Sequence, residues 1–259
     1  MIEILITDQV RLIAFWLCFI RWSTAIIQLP LFDSTDVPEI LKILSSFIIT
    51  YAFFPNLEST IINDINYVGQ DNFWCLSIIY AIFGLAVGYM LKLIMNTFLM
   101  AGSLISQNIG LSTARYFDPT TLSTIGPIEK LIQETMILLI ILSGAIFPMF
   151  KGIFLSIINI NVVSFANMSL DPNVILEFFK SLFFSGLMLS SPLVVIQVLI
   201  NIIMGITSRA IPQMNILLVS FIVNIGLGFV IFALISDEFF TISLDVYKDM
   251  LGIWFKVVS

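Results

Sequence analysis

Histidine is absent from the 259 residues, and cysteine occurs only at Cys18 and Cys75. The first absence removes Ser-His and Cys-His nucleophilic pairs and histidine-ligated metals. Without a CxxC pair there is neither a dithiol redox motif nor a zinc site. Both cysteines lie in apolar stretches, where a thiol behaves as a small hydrophobe. Charge is also scarce, at 11% of residues against roughly 25% in soluble domains. With 59% hydrophobic residues and a mean hydropathy of +1.08, the chain cannot cover a globule with polar surface and reads as a membrane protein. The net charge of −6 and pI near 4.5 argue against nucleic acid or anionic lipid as the main partner. The start, Met1-Ile-Glu-Ile-Leu-Ile-Thr-Asp, lacks a cationic leader and a small-residue cleavage site, so no removable signal peptide is expected.

What is present is a series of apolar runs, roughly 10–32, 40–55, 72–114, 135–160, 174–208 and 210–236, with a weaker tail at 239–258. Polar clusters at 33–39, 56–71, 115–134, 161–173 and 236–238 divide them. Abundant isoleucine favours strands locally. Length overrules that preference, because uncharged stretches of 20, 22, 28 and 27 residues suit helices that satisfy their own backbone. The expected fold is all-α, a membrane-associated bundle of long hydrophobic helices in one domain, 1–259. Its helices are expected at 9–31, 39–54, 72–114, 126–160, 174–208 and 211–236, with an amphipathic tail at 239–257. A 28-residue helix extends about 42 Å, more than the ~30 Å hydrocarbon core, and Pro192 is placed to bend it. Lysine and arginine are scattered singly, so the positive-inside rule gives no topology.

Arg209 is the only charged residue between 181 and 236. An arginine near the bilayer centre costs about 2.5–3.5 kcal/mol on insertion scales. Two readings stay open for it: a helix C-terminal cation complementing the dipole, or a buried ion pair or carbonyl cluster at a subunit contact. Gln213 and Asn215 beside it add amide donors and acceptors. Gly84 and Gly88, one helical turn apart, offer a smooth face for close helix contact, as in many membrane helices. Phe117-Asp118-Pro119 is a plain helix stop or part of a pore-facing loop with Gln107, Gly110, Ser112 and Thr113. Glu129-Lys130 and Glu134 read as a solvated helix start. The tail's apolar side (Ile242, Val246, Leu251, Trp254, Phe255) is expected on a membrane or a partner.

Several of these residues carry a resemblance. Gly205-x-x-Ser208-Arg209-x-x-Pro212-Gln213-x-Asn215 resembles the tail signature of the FliR/SctT family of type III secretion export gates. Arg21, then Pro30-Leu-Phe32, Pro38 and Lys42, resembles that family's first hairpin. Gly84 and Gly88, Ala101-Gly102, Gln107-x-x-Gly110 and Phe117-Asp118-Pro119 follow in the family's order, so the match runs from about residue 11 to 236. The family's pattern often has a glutamate where this chain has Tyr80, and a histidine near Lys151-Gly152. The chain departs at both positions, so no proton exchange there is implied.

The resemblance implies helices arranged like fused FliP-like and FliQ-like hairpins, assembling with FliP and FliQ type subunits and adjoining a FlhB type switch protein. It implies a gate in the bacterial inner membrane, at the flagellar basal body, largely raised out of the bilayer plane and passing unfolded export substrates. A channel plug formed by Gln107, Gly110, Leu111, Ser112, Phe117, Asp118 and Pro119 would follow. So would subunit contacts through Arg21, Gly84, Gly88, Ser208, Arg209, Pro212, Gln213 and Asn215. The Gln107 and Phe117-Asp118-Pro119 context leans flagellar, with a virulence SctT type subunit as the alternative. A secondary transporter should show repeats and convergent ionisable groups at mid-depth, and neither is read here. An intramembrane enzyme would need paired aspartates within helices or a Ser-His pair, so no catalytic residue, metal or cofactor is expected.

Overall fold

A computed structural model describes residues 2–32, 37–111, 126–162, 172–210 and 216–258. Among these residues the structure is all-α, with seven α-helices and one short 3-10 turn. The helices are α1 (Ile2–Gln28), α2 (Glu39–Val68), α3 (Phe73–Ile109), α4 (Pro127–Leu142), α5 (Ile146–Asn159), α6 (Pro172–Ala210) and α7 (Ile216–Val258). Five are long and apolar enough to cross a membrane, and α4 with α5 makes a sixth if that broken pair is taken as one span.

Several boundaries differ from the sequence reading. Helix α2 continues past the expected end at residue 54, through Pro55, to Val68. Proline there forfeits a backbone hydrogen bond, but Leu57, Ile61 and Ile65 beyond it are fully buried and keep the helix packed. It stops at Gly69, whose φ of 92° suits glycine and whose N–H donates to the Ile65 carbonyl at 2.9 Å. Helix α1 ends at Gln28, before the turn at Leu29-Pro30, because the residue preceding proline avoids the α region. Helix α3 ends at Ile109 instead of 114, against Gly110 at φ 93°.

The run expected at 126–160 is two helices, separated at Ser143-Gly144-Ala145, where Gly144 adopts φ 71°. Conversely, α7 passes Asp237-Glu238 unbroken. Both acids are exposed there, Thr241 Oγ1 donates to the Asp237 carbonyl at 2.9 Å, and the buried rings of Phe232 and Phe239 meet at 5.9 Å. Polar residues on the outer face of a packed helix do not interrupt it.

The chain divides into two compact units. The first comprises Met1–Leu93, Gly144–Phe178 and Leu251–Ser259; the second comprises Ile94–Ser143 and Phe179–Met250. In the first, α1 and α2 run antiparallel. An Arg11–Glu58 ion pair with Nε to Oε1 at 2.5 Å joins them at one level, and edge-on ring contacts Phe15–Phe54 and Phe19–Phe47 follow. Trp22 stacks on Phe53 and Phe150. The end of α7 closes this unit: Trp254 is fully buried, and its ring lies where any Gly152 side chain would stand. The apolar side of the tail is therefore taken up largely inside the chain at Leu251 and Trp254, while Ile242 is exposed.

In the second unit three glycines set close contacts. A Cβ on Gly102 would stand 3.1 Å from Ile132, one on Gly186 would stand 3.0 Å from Met100, and one on Gly228 would stand 2.6 Å from Ile109. The backbones of α3 and α4, and of α3 and α6, thus approach closely, while the Ile109 side chain of α3 fills the space beside Gly228 of α7. Glu129 is not part of a solvated start: it is buried, and its Oε2 accepts the Gly126 N–H at 2.8 Å, capping α4. Lys130 and Glu134 are exposed as expected.

Candidate functional site

Arg21 lies on α1 with 1% of its surface exposed, so its guanidinium must find partners within the chain. It meets the C-terminal end of α5. Nη2 donates to the Ser156 carbonyl at 2.8 Å and to Ser156 Oγ at 3.3 Å, and Nη1 donates to the Ile160 carbonyl at 3.2 Å. Helix ends leave such carbonyls short of donors, and a cation there complements the dipole. The Phe83 and Tyr80 rings flank the guanidinium at 5.1 and 5.8 Å, adding cation–π attraction.

Tyr80 connects this cation to a buried acid. Its hydroxyl donates to Asp64 Oδ2 at 2.7 Å, and the Val162 N–H donates to the same oxygen at 3.1 Å. Asp64 is fully buried on α2. Arg21 and Asp64 therefore hold the exit of α5 together, the cation on its last carbonyls and the anion on the N–H just beyond. The carboxylate that Tyr80 reaches is thus supplied by α2. On α5, Gly152 packs against Trp254 and Phe255.

The same stretch of α1 receives α3. A Cβ on Gly84 would fall onto Thr24 and stand 2.6 Å from the Arg21 carbonyl oxygen; one on Gly88 would stand 2.7 Å from the Ala25 carbonyl oxygen. No side chain fits at either place. Arg21, Gly84 and Gly88 thus form one intrachain crossing.

Arg209 presents the opposite case. It lies in the last turn of α6, where its charge complements the helix end, but it is exposed and no described residue pairs with it. Ser208 Oγ donates back to the Gly205 carbonyl at 2.6 Å, so that hydroxyl is engaged in its own helix. Pro212, Gln213 and Asn215 lie outside the described residues.

Of the expected plug, Gln107, Gly110 and Leu111 are described, whereas Ser112, Phe117, Asp118 and Pro119 lie outside the described residues. Gln107 is exposed, and its Nε2 donates to Ser103 Oγ at 3.2 Å. The Gly110 N–H donates to the Gln107 carbonyl at 3.1 Å, a tight stop to α3. Phe221 of α7 would lie 3.6 Å from a Gly110 Cβ. No group of acidic or cysteine side chains able to hold a metal occurs among the described residues.

Asp64 and Ser156 were missed by the sequence reading, as were the amides Gln197, Asn201 and Asn224. Asp64 had a legible signal: Leu57, Ile61, Asp64 and Ile65 share helical spacing, which continues the buried face of α2 beyond Pro55.

The sequence pattern of the family described as bacterial export proteins, family 1, matches residues 12–250. The chain is 26% identical over 242 residues to the flagellar biosynthetic protein FliR of Aquifex aeolicus, covering 93% of this chain and 91% of that one. It is 27% identical over 239 residues to the FliR of Bacillus subtilis, covering 91% and 90%. It is 30% identical over 189 residues to the FliR of Borreliella burgdorferi, covering 69% and 70%.

Proposed function

Because this chain belongs to family 1 of the bacterial export proteins, we infer that it is a structural and gating subunit of the flagellar type III protein export channel. It joins FliP and FliQ type subunits, adjoins a FlhB type switch protein, and helps to form the path for unfolded flagellar subunits. The observation that carries this reading is the match to proteins named FliR along nearly the whole chain. Its site is the bacterial inner membrane, at the basal body. Its role is mechanical: no step of catalysis is assigned to it.

Two physical features support the reading. Helices of 37, 39 and 43 residues extend about 55–65 Å, roughly twice a bilayer's hydrocarbon core. Much of their outer surface is apolar, including Leu199, Ile202, Ile203, Phe229 and Leu234. Neighbouring subunits provide cover for the parts that overrun the lipid. In this scheme Arg21, Gly84 and Gly88 act on assembly indirectly, by fixing the shape of the first unit. Ser208, Arg209, Pro212, Gln213 and Asn215 act directly, at a subunit contact. The segment 110–123 follows the stop at Gly110 and occludes the resting channel through Leu111 and Phe117, since apolar side chains at a constriction block ions by dewetting.

The test is co-expression with the FliP and FliQ type subunits, purification through a tag on this chain, and restoration of motility in a flagellated host lacking its FliR. Co-elution with restored motility supports the flagellar reading. Co-elution only with virulence-type partners would move the assignment to an SctT type subunit, and no co-elution with either set would overturn it.

A further inference from the structure

The α6–α7 hairpin of the second unit carries a short amide ladder. Gln197 Nε2 donates to the Asn224 carbonyl at 3.3 Å, and Asn224 Nδ2 donates to Asn201 Oδ1 at 2.7 Å. Gln197 is buried with 1% of its surface exposed, and its Oε1 has no hydrogen-bond partner among the described residues. The ladder turns the oxygen of Asn201 towards α7. Its amide nitrogen retains donors that no described residue accepts, and Asn201 itself is exposed.

Gly205 and Arg209 follow Asn201 at intervals of four residues, so the three share one face of α6, and all three are exposed. A Cβ on Gly205 would meet nothing within 4 Å, as at Gly226 and unlike those on Gly102, Gly186 and Gly228 in the same unit. Ile202, Gly205, Ile206 and Arg209 line an open hollow of about 580 Å³. Glycine in an open helix face is less favourable than alanine, and lipid tails answer neither the amide nor the guanidinium.

We propose that Asn201, Gly205 and Arg209 form a docking stripe for one apolar helix of a neighbouring export-gate subunit. That helix crosses α6 at Gly205, where backbones approach closely. It presents a carboxylate to Arg209, because a lone cation on an apolar surface calls for an anion when water is excluded. Near Asn201 it presents a hydrogen-bond acceptor, about 12 Å or two turns from the carboxylate. The proposal rests on the export-gate reading and narrows it to one partner chemistry.

The experiment uses the full chain co-expressed with FliP and FliQ type subunits in membranes. A photo-crosslinking residue replaces Ile206 and, as a control, Leu234; both positions are exposed. Crosslinking from 206 into a partner helix carrying an acidic residue is expected. Arg209→Glu should then lower partner recovery about tenfold, since it sets like charges against each other, and reversing the acid so identified to arginine should restore it. Gly205→Leu adds bulk only on the open side, so it should weaken recovery similarly while leaving helical content unchanged. Crosslinking to lipid alone, or wild-type recovery with Arg209→Glu and Gly205→Leu, overturns the stripe while the wild-type complex stands. Failure of the wild-type chain to recover any partner overturns the export-gate reading itself.

Discussion

Arg21 and Arg209 both stand in helices long and apolar enough to cross a bilayer, yet their surroundings differ. The first has its charge enclosed by the Ser156 and Ile160 carbonyls and two aromatic rings. The second lies open on the last turn of α6 without a described partner. A charge in an apolar chain is costly wherever it is left unmet. Arg21 is thus engaged within the fold of the chain, whereas Arg209 is left for what, on the docking proposal above, the chain binds.

Four measurements press on that contrast, beginning with the largest effect. Arg21→Ala leaves Asp64 buried without its nearby cation and strips the end of α5 of its donors. It should destabilise the first unit by about 3–5 kcal/mol, seen as loss of monodisperse protein in detergent before any partner is added. A stable, well-folded Arg21→Ala chain would abolish the contrast.

Tyr80→Phe preserves the ring beside Arg21 and removes only the donor to Asp64. A loss of about 1–3 kcal/mol is expected, read from denaturant unfolding of the purified chain; an unchanged midpoint would mean the 2.7 Å bond carries no weight. Arg209→Ala is expected to shift the stability of the isolated chain by no more than about 0.5 kcal/mol, while complex recovery and export fall together. If the isolated chain unfolds instead, the two arginines are the same kind of residue after all. Phe117→Ala should change neither stability nor assembly and should raise only small-ion leakage. Conductance recordings beside a pull-down check this, and a tight channel would return Phe117-Asp118-Pro119 to a simple helix stop.

The helices were largely legible because long uncharged stretches leave the backbone few alternatives in lipid. Their ends were less so, in part because polar residues were read as breaks. Asp64 and Glu58 mark no loop, since one is buried against Tyr80 and the other pairs with Arg11. Asp237-Glu238 lies on an outer helix face. Three of the helix stops, at Gly69, Gly110 and Gly144, carry positive φ, which composition alone does not distinguish from the packing glycines Gly84 and Gly88. Arg209 stood out because nothing near it is charged. The partners of Arg21 did not, since backbone carbonyls from residues more than a hundred positions away leave no trace in residue type.

The seating of Trp254 against Gly152 has a consequence for the order of biosynthesis. The first unit is begun by α1 to α3 and closed by residues from Leu251 onward, so its earliest helices must wait for the last part of α7. Contacts between segments so distant in sequence form slowly. Until the indole arrives, the notch at Gly152 stays open, and transiently exposed apolar surface of this kind invites aggregation. A bulky fusion close behind α7 would then act on yield, by delaying that closure, even where the finished protein tolerates it.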